Sequence, residues 1–123
     1  MAREGSRKLG QYYEGVAARY LTTKGVRVID QNVYNRGGEI DLIGMDSDVL
    51  VFFEVRFRST GALVDPISSI SQRKQTRLVR AASFYLHRHG LWNLATRIDV
   101  IGITPGQSSK YRVQWIKNAI QAD

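Results

Sequence analysis

The fold turns on one stretch, Gly37-Gly38-Glu39-Ile40-Asp41-Leu42-Ile43-Gly44-Met45-Asp46-Ser47-Asp48-Val49-Leu50-Val51-Phe52-Phe53-Glu54-Val55-Arg56. Its β-branched and aromatic residues predict two strands, Glu39 to Met45 and Val49 to Phe57, with Asp46-Ser47-Asp48 as the tight connection. Side chains alternate along a strand, so Glu39, Asp41 and Ile43 are expected on one face of the first. In the second, Glu54, Arg56 and Arg58 share a face, and Val51, Phe53, Val55 and Phe57 share the other. A short hairpin sets Asp41 beside Glu54. Charge grouped on strands otherwise built of Val, Phe and Ile is costly to cover unless something compensates it. A divalent cation does so; the competing explanation is an exposed hairpin with cross-strand ion pairs, each worth about 0–1 kcal/mol.

Upstream, Val26 to Tyr34 reads as another strand, closed by the turn signal Asn35-Arg36-Gly37-Gly38. From Lys8 to Thr23, Leu9, Tyr13, Val16, Ala17, Tyr20 and Leu21 recur at helical spacing, and Lys24-Gly25 supplies the stop. Glu14 lies on that helix at the spacing of Ala17, Ala18 and Leu21, an acid on an apolar stripe. Downstream, Ser59 to Ile67, with Gly61 and Pro66, reads as a loop. A long helix then runs from Ser69 or Ser71 to His89 and ends at Gly90, with Leu78, Ala81, Ala82, Tyr85 and Leu86 as its apolar stripe. Arg97 to Ile103 and Tyr111 to Ile116 are the last two strands, separated by the Pro105-Gly106 turn. The order is α-β-β-β-α-β-β. Ile98, Val100 and their neighbours read as buried on both faces, so the expectation is an α/β sandwich with a mixed central sheet flanked by helices. No repeat or linker divides the chain, and residues 1–123 are expected to form one domain.

At 43% hydrophobic and 24% charged residues the composition is that of a globular chain. It has no cysteine, no apolar run near the ~18 residues of a membrane span, and no charged-then-apolar leader, which fits the cytoplasm. Eighteen Lys and Arg against eleven Asp and Glu leave a formal charge of +7, which points to a polyanionic partner. The basic residues are spread along the chain, as suits nucleic acid better than a membrane surface. On the long helix Arg73, Arg77, Arg80 and His87 fall on one side with Arg88 adjacent, and no Asp or Glu occurs from Pro66 to Leu94. That row, together with Arg58 and Lys74, is read as tracking a phosphate backbone. The aromatics Tyr12, Tyr13, Phe52, Phe57 and Trp92 suit core packing for the most part, and stacking on unpaired bases otherwise. His87 and His89, two apart and without Cys or a third His, do not make a zinc site.

Gly37-Gly38-Glu39-Ile40-Asp41-Leu42-Ile43, Val51-Phe52-Phe53-Glu54-Val55-Arg56, Ser69-Ile70 with Lys74, and Arg97-Ile98-Asp99-Val100-Ile101 closely resemble the YraN-like family of predicted endonucleases, of the PD-(D/E)XK superfamily. The resemblance spans about Gly10 to Ile116. It implies a restriction-endonuclease-like core similar to archaeal Holliday-junction resolvases, in which a helix glutamate, a hairpin aspartate and the acid of a Glu-x-Lys strand hold Mg²⁺ or Mn²⁺. By matching position these are Glu14, Asp41 and Glu54. Asp41, Glu54 and Arg56 are then the expected catalytic group, with Glu39 either behind the ligands or simply beginning its strand. Ile40 stands where the superfamily name has proline, a change without chemical consequence. Arg56 replaces the lysine, stays protonated and cannot act as a general base, although it can hold a phosphate. Lys74, on the stripe of Ile70 and Leu78, is the candidate to reach the site in its stead. The function implied is hydrolysis of phosphodiesters, in DNA rather than RNA and in branched or structured DNA, with a homodimer suited to cutting two strands. The alternative is a DNA-binding module of the same fold that does not cleave.

Overall fold

A computed structural model describes residues 2–58, 65–106 and 110–121, with side chains from Lys8 onward. Its centre is the hairpin of β2 (Gly38–Asp46) and β3 (Val49–Phe57). A two-residue loop joins them, with Ser47 in the left-handed region at φ 55°, a geometry that matches the twist of paired strands. The register runs from Asp46 opposite Val49 to Leu42 opposite Phe53 and stops there. On the outer side β1 (Arg27–Asn35) pairs antiparallel with β2. On the other side β4 (Thr96–Pro105) lies parallel to β3, and β5 (Tyr111–Ile120) closes the sheet antiparallel to β4. The five strands thus stand in the order β1-β2-β3-β4-β5. A parallel pair needs a crossover, and α2 (Gln72–His89) supplies it between β3 and β4. This is the mixed α/β arrangement expected from the burial of Ile98 and Val100.

Each face of the sheet has its own core. On one, Leu78, Ala81, Ala82 and Tyr85 of α2 pack on Ile43, Phe52, Ile98 and Val100. On the other, Val16, Ala17 and Leu21 of α1 (Ala2–Thr23) pack on Leu42, Val51, Phe53, Ile101 and Ile103. Val51, Phe53, Val55 and Phe57 all face α1, as alternation requires. Helix α2 begins at the second of the two serines considered: Ser71 Oγ accepts from the Lys74 N–H at 3.1 Å, and a short 3-10 turn, Ile67–Ser69, precedes it. Gly90 ends it with φ 63°. Residues 59–64 of the expected loop lie outside the described residues. The turn between β1 and β2 is fastened to α2: Asn35 Nδ2 donates to the Ala81 carbonyl at 3.0 Å, and a Cβ on Gly37 would come within 2.6 Å of Ala81 Cα.

Two boundaries differ from the sequence reading. Helix α1 starts at Ala2 rather than Lys8, because Arg3-Glu4-Gly5-Ser6-Arg7 carries no apolar stripe for periodicity to detect. Strand β5 runs on to Ile120, past a bulge opposite Ile98–Val100 where Asn118 takes φ 54°. Between the pairs Ile98–Ile120 and Val100–Ile116, β5 carries two more residues than β4, and this irregular stretch interrupts the alternation, so the pattern is lost beyond Ile116.

A third difference bears on the site. The expected common face of Glu39, Asp41 and Ile43 does not form. Ile40 and Ile43, three residues apart, both join the α2-side core, whereas Leu42 joins the α1-side core. On the neighbouring strand Val33, paired with Ile40, also turns to α2. Between them Asn32 stands opposite Asp41 in the left-handed region at φ 51°. One such residue resets which face the following side chains occupy, and Asn tolerates that conformation better than most. Beyond the reset Glu39 reaches the α1 side, where Glu14 lies.

Candidate functional site

Asp41 sits where β2 and β3 part. Beyond the last paired residues, Leu42 and Phe53, its Oδ2 accepts the Val55 N–H at 2.8 Å, so a side-chain carboxylate does the work of a ladder carbonyl. It is buried, 9% exposed, and lies in the gap between the two cores. From α1, Glu14 reaches it because it shares the helical face of Ala17, Ala18 and Leu21. From β3, Glu54 reaches it as its expected cross-strand neighbour. All three carboxyls line one cleft of about 330 Å³.

Crowding of this kind holds protons on acids. Burial first, then the charges of Asp41 and Glu39, push the Glu14 carboxyl up to about 7. Burial and then Asp41 push Glu54 up to about 8, against the pull of Lys74 and Arg56. Asp41 is also raised by burial, while the Val55 N–H and the Glu54 carboxyl work in the opposite direction. Each of the three carboxyls is thus raised by burial, and Glu14 and Glu54 hold their protons into the neutral range. Even so, Glu14 Oε1 and Glu54 Oε1 are buried with no partner among the described residues, and a buried acceptor left unpaired costs about 1–3 kcal/mol.

Oxygen atoms of Glu14, Glu39 and Asp41 lie within 4.8 Å of one another. Glu39, expected at most behind the ligands, belongs to the acidic group itself. Glu54 stands outside that group of three and beside the two cations of the cleft, Arg56 and Lys74. Arg56 is pinned to the turn before α2, Nε donating to Ser69 Oγ at 3.2 Å and Nη2 to the Ser69 carbonyl at 3.0 Å. Its remaining donor, Nη1, lies 3.5 Å from Glu54 Oε2. Lys74, on the first turn of α2, approaches the same oxygen at 3.6 Å and is more open to solvent. A carboxylate donor set with uncompensated buried oxygens fits a hard divalent cation that takes oxygen ligands.

The remaining basic candidates, Arg58, Arg73, Arg77 and Arg80, are exposed, and none is ion-paired among the described residues. They lie outside the cleft's lining.

Three features escaped the sequence reading. Asn32 resets the strands and acts to lower the Glu14 carboxyl; its signal was the polar run Asp30-Gln31-Asn32 inside a strand otherwise rich in Val and Ile. Tyr13 stacks on Phe57, centroids 3.7 Å apart at 11°, and forms the aromatic wall of the cleft. Asp99, quoted above only for its motif, is fully buried and accepts from Arg97 Nε, Trp115 Nε1 and the Asn118 N–H. It closes the β5 bulge, and Arg97 in turn reaches Asp46 at 2.5 Å. That network belongs to the framework.

Fold and site together define a mixed α/β protein with a buried acidic cleft walled by one arginine and one lysine, and no helix among the described residues is long and apolar enough to cross a membrane. Residues 13–103 match the family described as "Uncharacterised protein family UPF0102", and the chain belongs to that family. It is 81% identical to a UPF0102 protein of Marinobacter nauticus over the full length of both chains. To the UPF0102 protein of Chromohalobacter salexigens it is 44% identical, covering 95% of this chain and 94% of that one. To the UPF0102 protein of Colwellia psychrerythraea it is 40% identical, covering 89% and 86%.

Proposed function

We propose that the chain is a Mg²⁺- or Mn²⁺-dependent nuclease that hydrolyses phosphodiester bonds in DNA of branched or otherwise structured geometry, working in the cytoplasm. The observation that carries this reading is the convergence of Glu14, Asp41 and Glu54 on one cleft in which two buried carboxylate oxygens have no partner. Glu14, Asp41 and Glu54 would hold the cation, with Glu39 close enough to share in it. When bound, it would supply a polarised phosphate and a more acidic water. The chain's own residues do the rest. Asp41 fixes the geometry, since its second oxygen is tied to the backbone of β3. Lys74 swings from Glu54 to the phosphate, where its ammonium stabilises the charge that develops on the non-bridging oxygens. Arg73, Arg77 and Arg80 bind the phosphates of the flanking strand.

A second reading has its own support. Arg56 spends Nε and Nη2 on Ser69, which suits a residue that braces the turn before α2 rather than one that meets substrate. A DNA-binding module that does not cleave is consistent with it. Purified protein incubated with nicked, forked and four-way DNA in Mg²⁺, Mn²⁺ or EDTA separates the two. Cleavage that needs the cation and disappears in Asp41→Ala supports the nuclease. Binding without cleavage under every condition refutes it.

A further inference from the structure

Next to the acidic cleft, α1 exposes two large apolar side chains one turn apart, Leu9 at 50% and Tyr12 at 41%. Tyr12 belongs to a chain of rings that begins inside the cleft. Its ring meets Tyr13 edge-on, centroids 5.1 Å apart at 79°, and Tyr13 stacks on Phe57 in the cleft wall. On its other side Tyr12 meets Tyr111 of β5 at 6.2 Å. The two phenol oxygens are 2.6 Å apart, which holds the Tyr12 ring in place. Lys110 stands over both rings, 5.8 Å from one centroid and 5.6 Å from the other. The charges acting on the Tyr12 hydroxyl are those of Lys110 and Arg19, both cations. An oriented, exposed ring flanked by cations and continuous with a phosphate-sized cleft has the chemistry of a stacking platform for a nucleobase. A base inside a duplex has no free face to offer; an unpaired one does.

We infer that Tyr12, supported by Tyr111 and Lys110, stacks an unpaired base adjoining the phosphate in the cleft, so that the substrate is nucleic acid with single-stranded character on the α1 side of the site. This rests on the nuclease reading for the position of the phosphate, and its test does not depend on cleavage. Binding is measured in EDTA by fluorescence anisotropy, with a blunt DNA duplex and with the same duplex extended by a single-stranded overhang carrying 2-aminopurine at the first unpaired position. The wild-type chain is expected to prefer the overhang and to quench the 2-aminopurine by stacking. Tyr12→Leu, at an exposed position, is expected to lose the quenching and to weaken overhang binding about tenfold while blunt-duplex binding is unchanged; Tyr12→Phe, which keeps the ring and loses only the hydroxyl contact to Tyr111, retains the quenching and most of the overhang binding. Equal overhang affinity in wild type and Tyr12→Leu overturns the inference, as does an equal loss on blunt and overhang DNA. A change in sedimentation of Tyr12→Leu without a change in overhang binding also overturns it, because the platform is then a contact between two copies. Tyr12-dependent overhang binding in a protein that never cleaves upholds the platform and refutes the nuclease; cleavage lost in Asp41→Ala with indifferent Tyr12 does the reverse.

Discussion

Replacing Glu54 with Gln tests the acidic cleft through stability, without reference to any substrate. In the folded chain the Glu54 carboxyl keeps its proton to about pH 8, whereas its unperturbed value is 4.5. Between those values the folded state binds one more proton than the unfolded state, so the stability that the neutral carboxyl provides is complete below 4.5 and is lost as the pH rises through 8. The slope for one proton is about 1.4 kcal/mol per pH unit, which gives a loss of about 2–3 kcal/mol from pH 6 to pH 8 from this residue. Glu14, raised to about 7, adds a smaller loss of the same sign between pH 6 and 8, because it gives up its proton earlier than Glu54. Gln is neutral throughout. Glu54→Gln also gives up the contacts of a buried carboxyl to Lys74 and Arg56, which changes the absolute stability. The comparison is therefore made on slopes. Urea unfolding followed by tryptophan fluorescence at a series of pH values in EDTA should show wild-type stability falling toward pH 8 and a shallower fall in Glu54→Gln. Adding Mn²⁺ at about a hundred times its dissociation constant should restore about 2.7 kcal/mol to the wild type at pH 8 and much less to the variant. Equal slopes in the two proteins, or wild-type stability that is flat or rises with pH, would show that Glu54 carries no displaced proton and would remove the electrostatic basis of the site.

Asp99→Ala leaves Arg97 without its buried partner and opens the β5 bulge, and should cost about 3–5 kcal/mol by urea unfolding, against little for the exposed Lys117→Ala. Gly37→Ala forces a methyl into the backbone of α2 at Ala81 and should destabilise by about 1–3 kcal/mol; an unchanged unfolding midpoint contradicts the close approach. If α2 lies along a phosphate backbone, replacing Arg73, Arg77 and Arg80 together by Ala should reduce the slope of log affinity against log salt on duplex DNA by about 2–3. A slope unchanged from wild type places the DNA elsewhere.

How much of this was legible along the chain depends on the range of the interactions. The strands around Ser47, the capping serine and closing glycine of α2, and the parallel pairing implied by a doubly buried β4 all follow from local chemistry: turn residues, caps and the spacing of apolar side chains. The convergence of Asp41 and Glu54 follows from the same source, since a short hairpin brings opposite residues together whatever lies outside it. The partners of Arg56 and the approach of Lys74 to Glu54 are of another kind, because Ser69 and Lys74 come near only after α2 has crossed over the sheet.

The α-β-β-β-α-β-β order and the pairing of two acids were therefore determined by the sequence alone, through interactions among residues near one another in the chain. Glu39's place in the acidic group, the burial that keeps protons on Glu14 and Glu54, and the Tyr12–Tyr111 contact were decided only by the tertiary structure. Each depends on where a distant element packs: a left-handed Asn32 turning the strands, helix α1 packing on the sheet so that the acids are buried, and β5 arriving beside the first helix.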